Sequence, residues 1–291
     1  MEKAYIILAH KNHNQLKRLI ERLDDGLSYF FVHIDKESAM QQHVSAFEGM
    51  KNTRLVPCIR TEWGNFGLVE ATLKAMDAVK NSGENIERII LLSGQDYPIK
   101  SNDYINNFLR SSKHSVFMDH YQLPDYKKWS SGGGSYRVNK YFFGFSIVSK
   151  YRAKTLNFLS GYIKILQRRL KRSMTHYYGS QWWVIDKYTL NYILDFVAKN
   201  PDYTAFHRNT FAPDELFFQT IVMNTDDEQL SASILNNNIR FMKWADNLIA
   251  HPEILGQNDF DEIYSSPALF ARKFDAGVDS KVLEMIDEKC L

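Results

Sequence analysis

Cysteine is scarce in this 291-residue sequence, which contains only Cys58 and Cys290. Two cysteines separated by most of the chain, without CxxC spacing, exclude a disulfide framework and a structural zinc site, and they indicate a reducing compartment. Long apolar runs are lacking too. The first short run is followed at once by His10, Lys11 and His13, so it is neither a signal h-region nor a spanning helix. We therefore expect a cytoplasmic chain.

Excess charge of either sign is also missing. The 36 Lys and Arg residues face 34 Asp and Glu residues, a formal net charge of +2, which excludes strongly charged classes of protein. With no reader motif present, this balance argues against a nucleic-acid partner. The motifs HExxH, GxxxxGK[ST], GxGxxG and GxSxG are absent, so the zincin, P-loop, dinucleotide-binding and α/β-hydrolase classes lack their usual sequence support.

Short apolar runs alternate with helical patterns in the first part of the chain. We predict strands at residues 4–10, 29–35, 53–57, 88–94 and 115–120, and helices at residues 15–23 and 67–79. Strands that alternate with helices predict an α/β fold with a mostly parallel, doubly wound sheet. Ligands bind at the carboxyl ends of such strands, which directs attention to His10, to His33 and Asp35, and to the segment from Gly94 to Asp96.

The later part of the chain has longer helical patterns. We predict helices from residue 151 to about 172 and from 187 to about 199, a tryptophan-rich strand at 181–186, and a helix start at 212–215. No internal repeat and no long linker is present, so the chain is expected to form one domain over residues 1–291. Its first half, residues 1–120, is expected to bind a nucleotide.

Two residues are candidates for catalysis. Glu215 follows Asp214 near a predicted helix start, where the helix dipole and nearby aromatic rings suit a general base. The alternative is that both acids merely start a helix. Lys273 lies between apolar residues, where it can neutralise a diphosphate leaving group, although a surface lysine is the alternative. Likewise, Asp35 and Asp96 can accept from ribose hydroxyls or can be ordinary turn residues.

Metal binding is not expected. Many nucleotide-sugar transferases carry an Asp-x-Asp pair at the end of such a strand, but here the first acid is replaced by Gly94. Oxygen ligands for Mn²⁺ or Mg²⁺ are therefore not clustered where they are needed.

A basic segment covers residues 162–174, with the sequence YIKILQRRLKRSM. Residues 164–172 are a candidate for peripheral contact with the inner face of a membrane. The alternative is a solvated helix face.

Eight separated segments combine into one pattern. In order they are AYIILAHKN, FFVHIDKES, EWGNFGLVEATLKAM, LLSGQDYPIKS, YYGSQWWVIDKYTLNYIL, FAPDELFFQTI, RFMKW and LFARKFD. Across residues 4–275 the chain resembles the core-2/I-branching enzyme family, the family 14 glycosyltransferases, which include β1,6-N-acetylglucosaminyltransferases and peptide O-xylosyltransferases.

The resemblance implies a GT-A-like fold and inverting transfer from a UDP-sugar to a saccharide hydroxyl. The family's base matches Glu215, and the lysine that holds the diphosphate in place of a metal matches Lys273. Residues 121–291 are then the acceptor-binding and catalytic half. The substrate-binding positions implied by the same resemblance are His10, His33, Asp35, Gly94, Asp96, Gly179, Ser180, Gln181, Trp182, Asp214 and Trp244.

The sequence departs from the family in one part of the phosphate site. The second phosphate-binding arginine of the animal enzymes should fall where this chain has Ala250 and His251. Diphosphate neutralisation is therefore expected to use Lys273 with Arg272 or His251. The membrane anchor and many cysteines of the animal enzymes are also missing, so we expect a bacterial, cytoplasmic relative that builds surface polysaccharide or glycolipid from a saccharide or lipid-linked acceptor.

The donor sugar is expected to be N-acetylglucosamine, with xylose as the alternative. Two other functions stay open at this point. A glycoside hydrolase would need two carboxylates, such as Asp96 and Glu215, about 5 to 9.5 Å apart. A non-catalytic saccharide-binding module would use the aromatic residues, which make up 14% of the chain, without turnover.

Overall fold

A computed structural model describes residues 1–170, 173–244 and 252–289 of the chain. Its strands, in chain order, are β1 (Lys3–Ala9), β2 (Ser28–Ile34), β3 (Thr53–Leu55), β4 (Arg88–Ser93), β5 (Asp96–Pro98), β6 (Val116–Met118), β7 (Tyr121–Gln122), β8 (Tyr177–Tyr178), β9 (Trp183–Asp186), β10 (Ile234–Leu235), β11 (Arg240–Met242) and β12 (Phe270–Arg272).

Helices connect and cover these strands. They are α1 (His13–Leu23), α2 (Gly67–Lys80), α3 (Asn102–Ser111), α4 (Tyr136–Asn139), α5 (Ile147–Tyr162), α6 (Lys187–Lys199), α7 (Pro201–His207), α8 (Phe217–Met223), α9 (Glu228–Ala232), α10 (Phe260–Ser265) and α11 (Lys281–Lys289). Short 3₁₀ turns occur at Ala39–Phe47, Gly132–Gly134, Lys164–Leu166, Pro213–Glu215 and Gln257–Asp259.

A seven-stranded sheet forms the centre of the molecule, in the order β10-β6-β9-β4-β1-β2-β3. Strands β3, β2, β1 and β4 run parallel to one another, and β10 runs parallel to β6. Only β9 is antiparallel to its neighbours in this sheet, β4 and β6. The prediction of an α/β fold with a mostly parallel central sheet is confirmed.

The central strands are apolar along their whole length because both faces of the sheet are covered. In β1, Tyr5 and Ile7 face a core that includes residues of α1, α3 and α11. Ala4 and Ile6 face the opposite core, which includes residues of α2, α6 and α8. Helices therefore cover both faces of the sheet, and the edge formed by the strand ends is left for ligands.

A small three-stranded sheet, in the order β11-β12-β5, carries the later part of the chain back to that edge. Strand β12 runs parallel to β11 and antiparallel to β5, with Arg272 opposite Asp96. The backbone N–H of Phe274 donates to the carbonyl of Gln95. This pairing places the segment around Arg272 and Lys273 beside the ends of β1 and β4.

The long helix predicted from residue 151 to about 172 is wrong at both ends. It begins at Ile147, because the side chain of Ser146 accepts from the N–H of Ser149 and caps the first turn. It ends at Tyr162, followed by extended Ile163 and a 3₁₀ turn. The predicted helix start at residues 212–215 is a 3₁₀ turn, and the α-helix begins two residues later at Phe217.

Candidate active site

Two neighbouring cavities open at the carboxyl ends of the parallel strands. The larger has a volume of about 530 Å³, and its wall includes residues at or after the ends of β1, β2 and β4. The smaller has a volume of about 330 Å³ and lies against the turn before α8 and the segment before β9. The cavities share four wall residues, Trp63, Gln181, Trp182 and Arg272. We therefore treat them as two parts of one cleft.

Glu215 lines the smaller cavity with 42% of its side chain exposed. Its Oε2 accepts from Nη2 of Arg137 at 3.0 Å, and the same guanidinium donates to the carbonyls of Phe211 and Ala212. Arg137 is itself buried. This arginine therefore fixes both the turn that carries Glu215 and the direction of its carboxylate, while part of the carboxylate stays open to the cavity.

Asp214 lies beside Glu215 but is almost fully buried in the wall of the same cavity. Burial raises the pKa of Asp214 to about 7; the negative charge of Glu215 adds to the rise, and Arg137 opposes it. Its Oδ1 has no hydrogen-bond partner within residues 1–170, 173–244 and 252–289. The neighbouring acids thus differ in environment, and Glu215 is the one with access to a substrate.

The raised pKa of Asp214 predicts a pH-dependent contribution to stability. Between the ordinary pKa, near 4, and about 7, the folded protein holds a proton that the unfolded chain has lost. As the pH rises through this window, we expect the free energy of unfolding of wild type to fall relative to that of Asp214→Asn, by on the order of a few kcal/mol. Denaturant unfolding at a series of pH values measures the difference. The control is Asp226→Asn, which changes an exposed acid; parallel curves for wild type and Asp214→Asn would contradict the assignment.

Gly179 brings two chain segments together at the wall of the smaller cavity. Its N–H donates to the carbonyl of Glu215 at 2.9 Å. A Cβ at this position would lie 1.8 Å from the backbone oxygen of Asp119. Only glycine allows this approach, so the backbone that leads to Ser180 and Gln181 can pass directly behind the candidate base.

Cations gather around the larger cavity. Lys273 lines it, and Arg272 lines both cavities. Burial lowers the pKa of Lys273, and the positive charges of Lys11 and Arg272 lower it further. Burial also lowers the pKa of Arg272, whose guanidinium carbon lies 4.3 Å from the centroid of the Trp182 ring. Crowded, partly desolvated cations of this kind are suited to an anionic ligand.

His10 lies on the wall of the same cavity, as the strand-end argument predicts. Desolvation lowers its pKa, and the neighbouring charges of Lys11 and Lys273 act in the same direction. The lowered pKa favours the neutral imidazole, which offers a donor or acceptor without a further positive charge.

His33 and Asp35 differ in their access to the larger cavity. Asp35 is part of its wall, and its carboxylate accepts from the N–H and hydroxyl of Thr61 and from the N–H of Glu37. His33 is buried, and its Nε2 accepts from the N–H of Ile59 at 2.9 Å. The structure thus does not place His33 on the cavity wall. It supports the segment at residues 59–61 that holds Asp35.

Asp96 is also placed differently from the prediction. Its side chain is completely buried, accepts from the N–H and hydroxyl of Ser93, and lies 3.9 Å from Nε of Arg240. It faces Arg240 and the turn after β4, away from both cavity walls. Gly94 lies in that turn, where its carbonyl accepts from the side chain of Gln15. Neither Gly94 nor Asp96 is part of either cavity wall.

The remaining predicted positions lie on the smaller cavity or outside the described residues. Ser180, Gln181, Trp182 and Trp244 all line the smaller cavity, and 55% of Trp244 is exposed. Ala250 and His251 lie outside the described residues. Among the described residues, Arg272 lines the larger cavity together with Lys273.

Several wall residues were not predicted from the sequence. Trp63 lies between the cavities, and Asp119, Tyr121 and Lys128 line the smaller one. Burial lowers the pKa of Lys128, an effect that the charge of Glu215 opposes. In the sequence, only the high content of aromatic residues indicated an aromatic cavity wall, and it did not identify which aromatic residues form that wall.

No group of three or more His, Cys, Asp or Glu residues is arranged to hold a metal ion in the part of the chain that the structure describes. Within the same ranges, no helix is long and apolar enough to cross a bilayer.

Comparison with known proteins identifies related sequences. The family model described as Core-2/I-Branching enzyme matches residues 3–264. Xylosyltransferase 2 of Mus musculus is 25% identical over 308 residues, covering 98% of this chain and 33% of that protein. Xylosyltransferase 1 of Homo sapiens is 22% identical over 308 residues, covering 98% of this chain and 30% of that protein. The chain thus spans about a third of the length of these curated relatives.

Similarity to solved structures is weaker. The apo form of mouse xyloside xylosyltransferase 1 aligns with a TM-score of 0.38 and 10% identity, covering 93% of this chain and 96% of that chain.

Proposed function

Because the chain belongs to the core-2/I-branching enzyme family, we propose that it is an inverting glycosyltransferase that moves a sugar from a UDP-sugar to a saccharide hydroxyl. One observation carries the proposal. Glu215 lines only the smaller cavity, Lys273 lines only the larger, and Arg272 lies in the wall between them. A base and a diphosphate-binding cation thus line different parts of one cleft, an arrangement that suits displacement with the acceptor and the leaving diphosphate on opposite faces of the anomeric carbon.

The donor is assigned to the larger cavity. A nucleotide binds at the carboxyl ends of parallel strands in α/β folds, and this cavity lies at the ends of β1, β2 and β4. Asp35 and His10 supply polar groups for the nucleoside, while Lys273 and Arg272 supply positive charge for the diphosphate. The mostly parallel sheet with this cleft at its edge is the GT-A-like arrangement that the resemblance implies.

The acceptor is assigned to the smaller cavity, between Glu215 and Trp244. Glu215 removes the proton of the acceptor hydroxyl as its oxygen forms a bond to the anomeric carbon. The bond from that carbon to the diphosphate oxygen breaks on the opposite face, and UDP leaves with its negative charge next to Lys273 and Arg272. The proton ends on Glu215, and the configuration of the anomeric carbon is inverted.

The transferred sugar is a finer part of the proposal. N-acetylglucosamine is the first donor to test. The names of the relatives, which are xylosyltransferases, make UDP-xylose the second. Surface polysaccharide or glycolipid assembly, with a saccharide or lipid-linked saccharide acceptor, is proposed as the setting.

The two alternative functions have less support from the geometry. A glycoside hydrolase would use Asp96 with Glu215, but Asp96 is buried against Arg240 and does not face a cavity. A saccharide-binding module needs only aromatic surface, whereas this cleft also combines a carboxylate with a separate pair of cations.

The proposed function is tested by titrating the protein with UDP, UDP-N-acetylglucosamine, UDP-xylose and UDP-glucose, each with Mn²⁺ and with EDTA. Thermal shift and calorimetry are the measurements. We expect UDP and one UDP-sugar to stabilise the fold to the same extent in both conditions, since Lys273 and Arg272 take the place of a metal. Binding only with Mn²⁺ would contradict metal independence. No response to any nucleotide would contradict the transferase proposal.

A further inference from the structure

Basic residues are concentrated in one stretch of the chain. Between residues 126 and 185 there are 12 Lys and Arg residues and no Asp or Glu. The rest of the chain holds 24 Lys and Arg residues against 34 Asp and Glu. The near-neutral total charge therefore hides a strongly positive segment, and helix α5 lies at its centre.

Helix α5 presents its large apolar side chains to solvent. Ile147, Tyr151, Phe158 and Tyr162 are 74%, 68%, 64% and 79% exposed. With 3.6 residues per turn they lie within an arc of about 60°. Ile165, in the 3₁₀ turn after the helix, is 90% exposed. We refer to these five residues as the outer face of α5.

The opposite side of α5 packs on the protein with several small or polar side chains and with Leu156 and Leu159, which are only partly buried. Ser160 is buried, and Ser149, Ala153 and Asn157 are partly buried. The most exposed large apolar side chains of α5 thus lie on its outer face, whereas a surface helix usually buries its apolar stripe. Within residues 1–170, 173–244 and 252–289, no segment covers the outer face of α5.

Cations flank the outer face on both sides. Lys150 and Lys154 lie along one border and Arg152 lies along the other, with exposed Lys164 and Arg169 after the helix. Arg168 does not belong to this surface, because its guanidinium donates to the carbonyls of Lys140 and Phe206 and to the hydroxyl of Thr210. The membrane contact predicted at residues 164–172 is thus not supported at Arg168, and residues 171 and 172 lie outside the described residues.

We propose that the outer face of α5 docks on a membrane surface that contains anionic lipid. The helix lies in the plane of the interface, with Ile147, Phe158 and Ile165 inserted below the headgroups. Lys150 and Lys154 lie at the level of the lipid phosphates. An apolar stripe with basic borders is the pattern of interfacial helices, and each cation near an anionic surface strengthens the binding.

Two other occupants fit the same surface less well. A nucleic acid would be held by the cations, but it does not need exposed aliphatic side chains such as Ile147, Val148 and Ile165. A second copy of the chain would bury the apolar stripe, but a symmetric contact would bring the positive borders of both copies together. An anionic bilayer matches the apolar and the charged residues at once.

The outer face of α5 adjoins the cleft. Phe145, just before the helix, stacks on Trp63 with ring centroids 5.6 Å apart, and Trp63 lines both cavities. Docking does not depend on the proposed glycosyl transfer. It places the mouth of the cleft close to the lipid headgroups whatever reaction the cleft performs.

The test is flotation of the full chain with vesicles of phosphatidylcholine alone or with about 30 mol% phosphatidylglycerol, at low and high salt. We expect binding only to the anionic vesicles. Lys150→Gln with Lys154→Gln should weaken it roughly 10- to 30-fold. Phe158→Ser with Ile165→Ser should also remove binding at low salt, because the apolar insertion is lost. The matched controls are Lys74→Gln and Val278→Ser, which change an exposed lysine and an exposed valine elsewhere.

Four outcomes would overturn the proposal. Equal binding to both kinds of vesicle, or equal effects of the control variants, would show that the anionic surface or the outer face of α5 is not recognised. Binding to RNA or heparin that survives Phe158→Ser with Ile165→Ser, without vesicle binding, would assign the surface to an acidic polymer. A dimer in analytical ultracentrifugation that the same double variant dissociates, again without vesicle binding, would assign it to a second copy.

Discussion

Glu215→Gln is expected to lower kcat by about 10²- to 10⁴-fold, the contribution of a general base, while the affinity for the UDP-sugar stays close to that of wild type. Glutamine has nearly the same shape, and its side-chain oxygen can still accept from Arg137, so the turn should keep its structure. What is lost is the carboxylate that takes the proton of the acceptor hydroxyl. Initial rates under saturating donor and acceptor, with calorimetry for the donor, separate the two effects.

The matched control for this variant is Glu228→Gln. Glu228 is an exposed glutamate in the first turn of α9 and lines neither cavity, so its amide variant should keep wild-type turnover. If Glu215→Gln also kept wild-type turnover, Glu215 would not be the base. A large loss of donor affinity would place Glu215 at the donor rather than at the acceptor.

Lys273→Ala is expected to weaken UDP binding roughly 10- to 100-fold, because a hydrogen bond to a charged group contributes about 1.5 to 3 kcal/mol. It should also lower kcat, since the departing diphosphate loses a positive charge that stabilises the transition state. Lys273 is a better choice for this test than Arg272, because Arg272 also packs on the Trp182 ring and its removal would alter the wall itself. Calorimetric titration with UDP and initial-rate kinetics are the measurements.

Lys74→Ala is the control for charge, since Lys74 is exposed on α2 and lines neither cavity. Lys273→Arg keeps the charge and should recover part of the affinity for UDP. Unchanged UDP affinity in Lys273→Ala would show that this lysine is not part of the donor site. The main argument for binding of the diphosphate in the larger cavity would then be contradicted.

The central sheet could be predicted because each of its strands is identified by a short run of neighbouring residues. Strands β1 and β4 are continuous apolar runs of strand length, and such runs identify strands that are covered on both faces. Pro213 and the acids after it were also recognisable locally as the start of a helical segment, which is a 3₁₀ turn in the structure, whereas the role of Glu215 as a base stays a prediction. These features depend on neighbours in sequence, so one sequence is sufficient to find them.

The features that were missed depend on contacts between distant segments. The sequence around Asp96 is typical of a ligand-binding turn. In the structure the Asp96 carboxylate faces Arg240, which lies 144 residues later in the chain. Arg137 reaches Glu215 across 78 residues and had no local pattern to identify it. Helix α5 was placed too late because the cap formed by Ser146 was not recognised and the extended residue Ile163 ends the helix early.

The wall shared by the two cavities makes the binding of the two substrates interdependent. Whichever ligand enters first removes water from Trp63, Gln181, Trp182 and Arg272, so that the second meets side chains that are already dehydrated and ordered. Donor and acceptor should therefore each raise the affinity of the other, and thermodynamic linkage requires the two factors to be equal. The cleft is thus expected to behave as one cooperative unit in which occupancy of either half prepares the other.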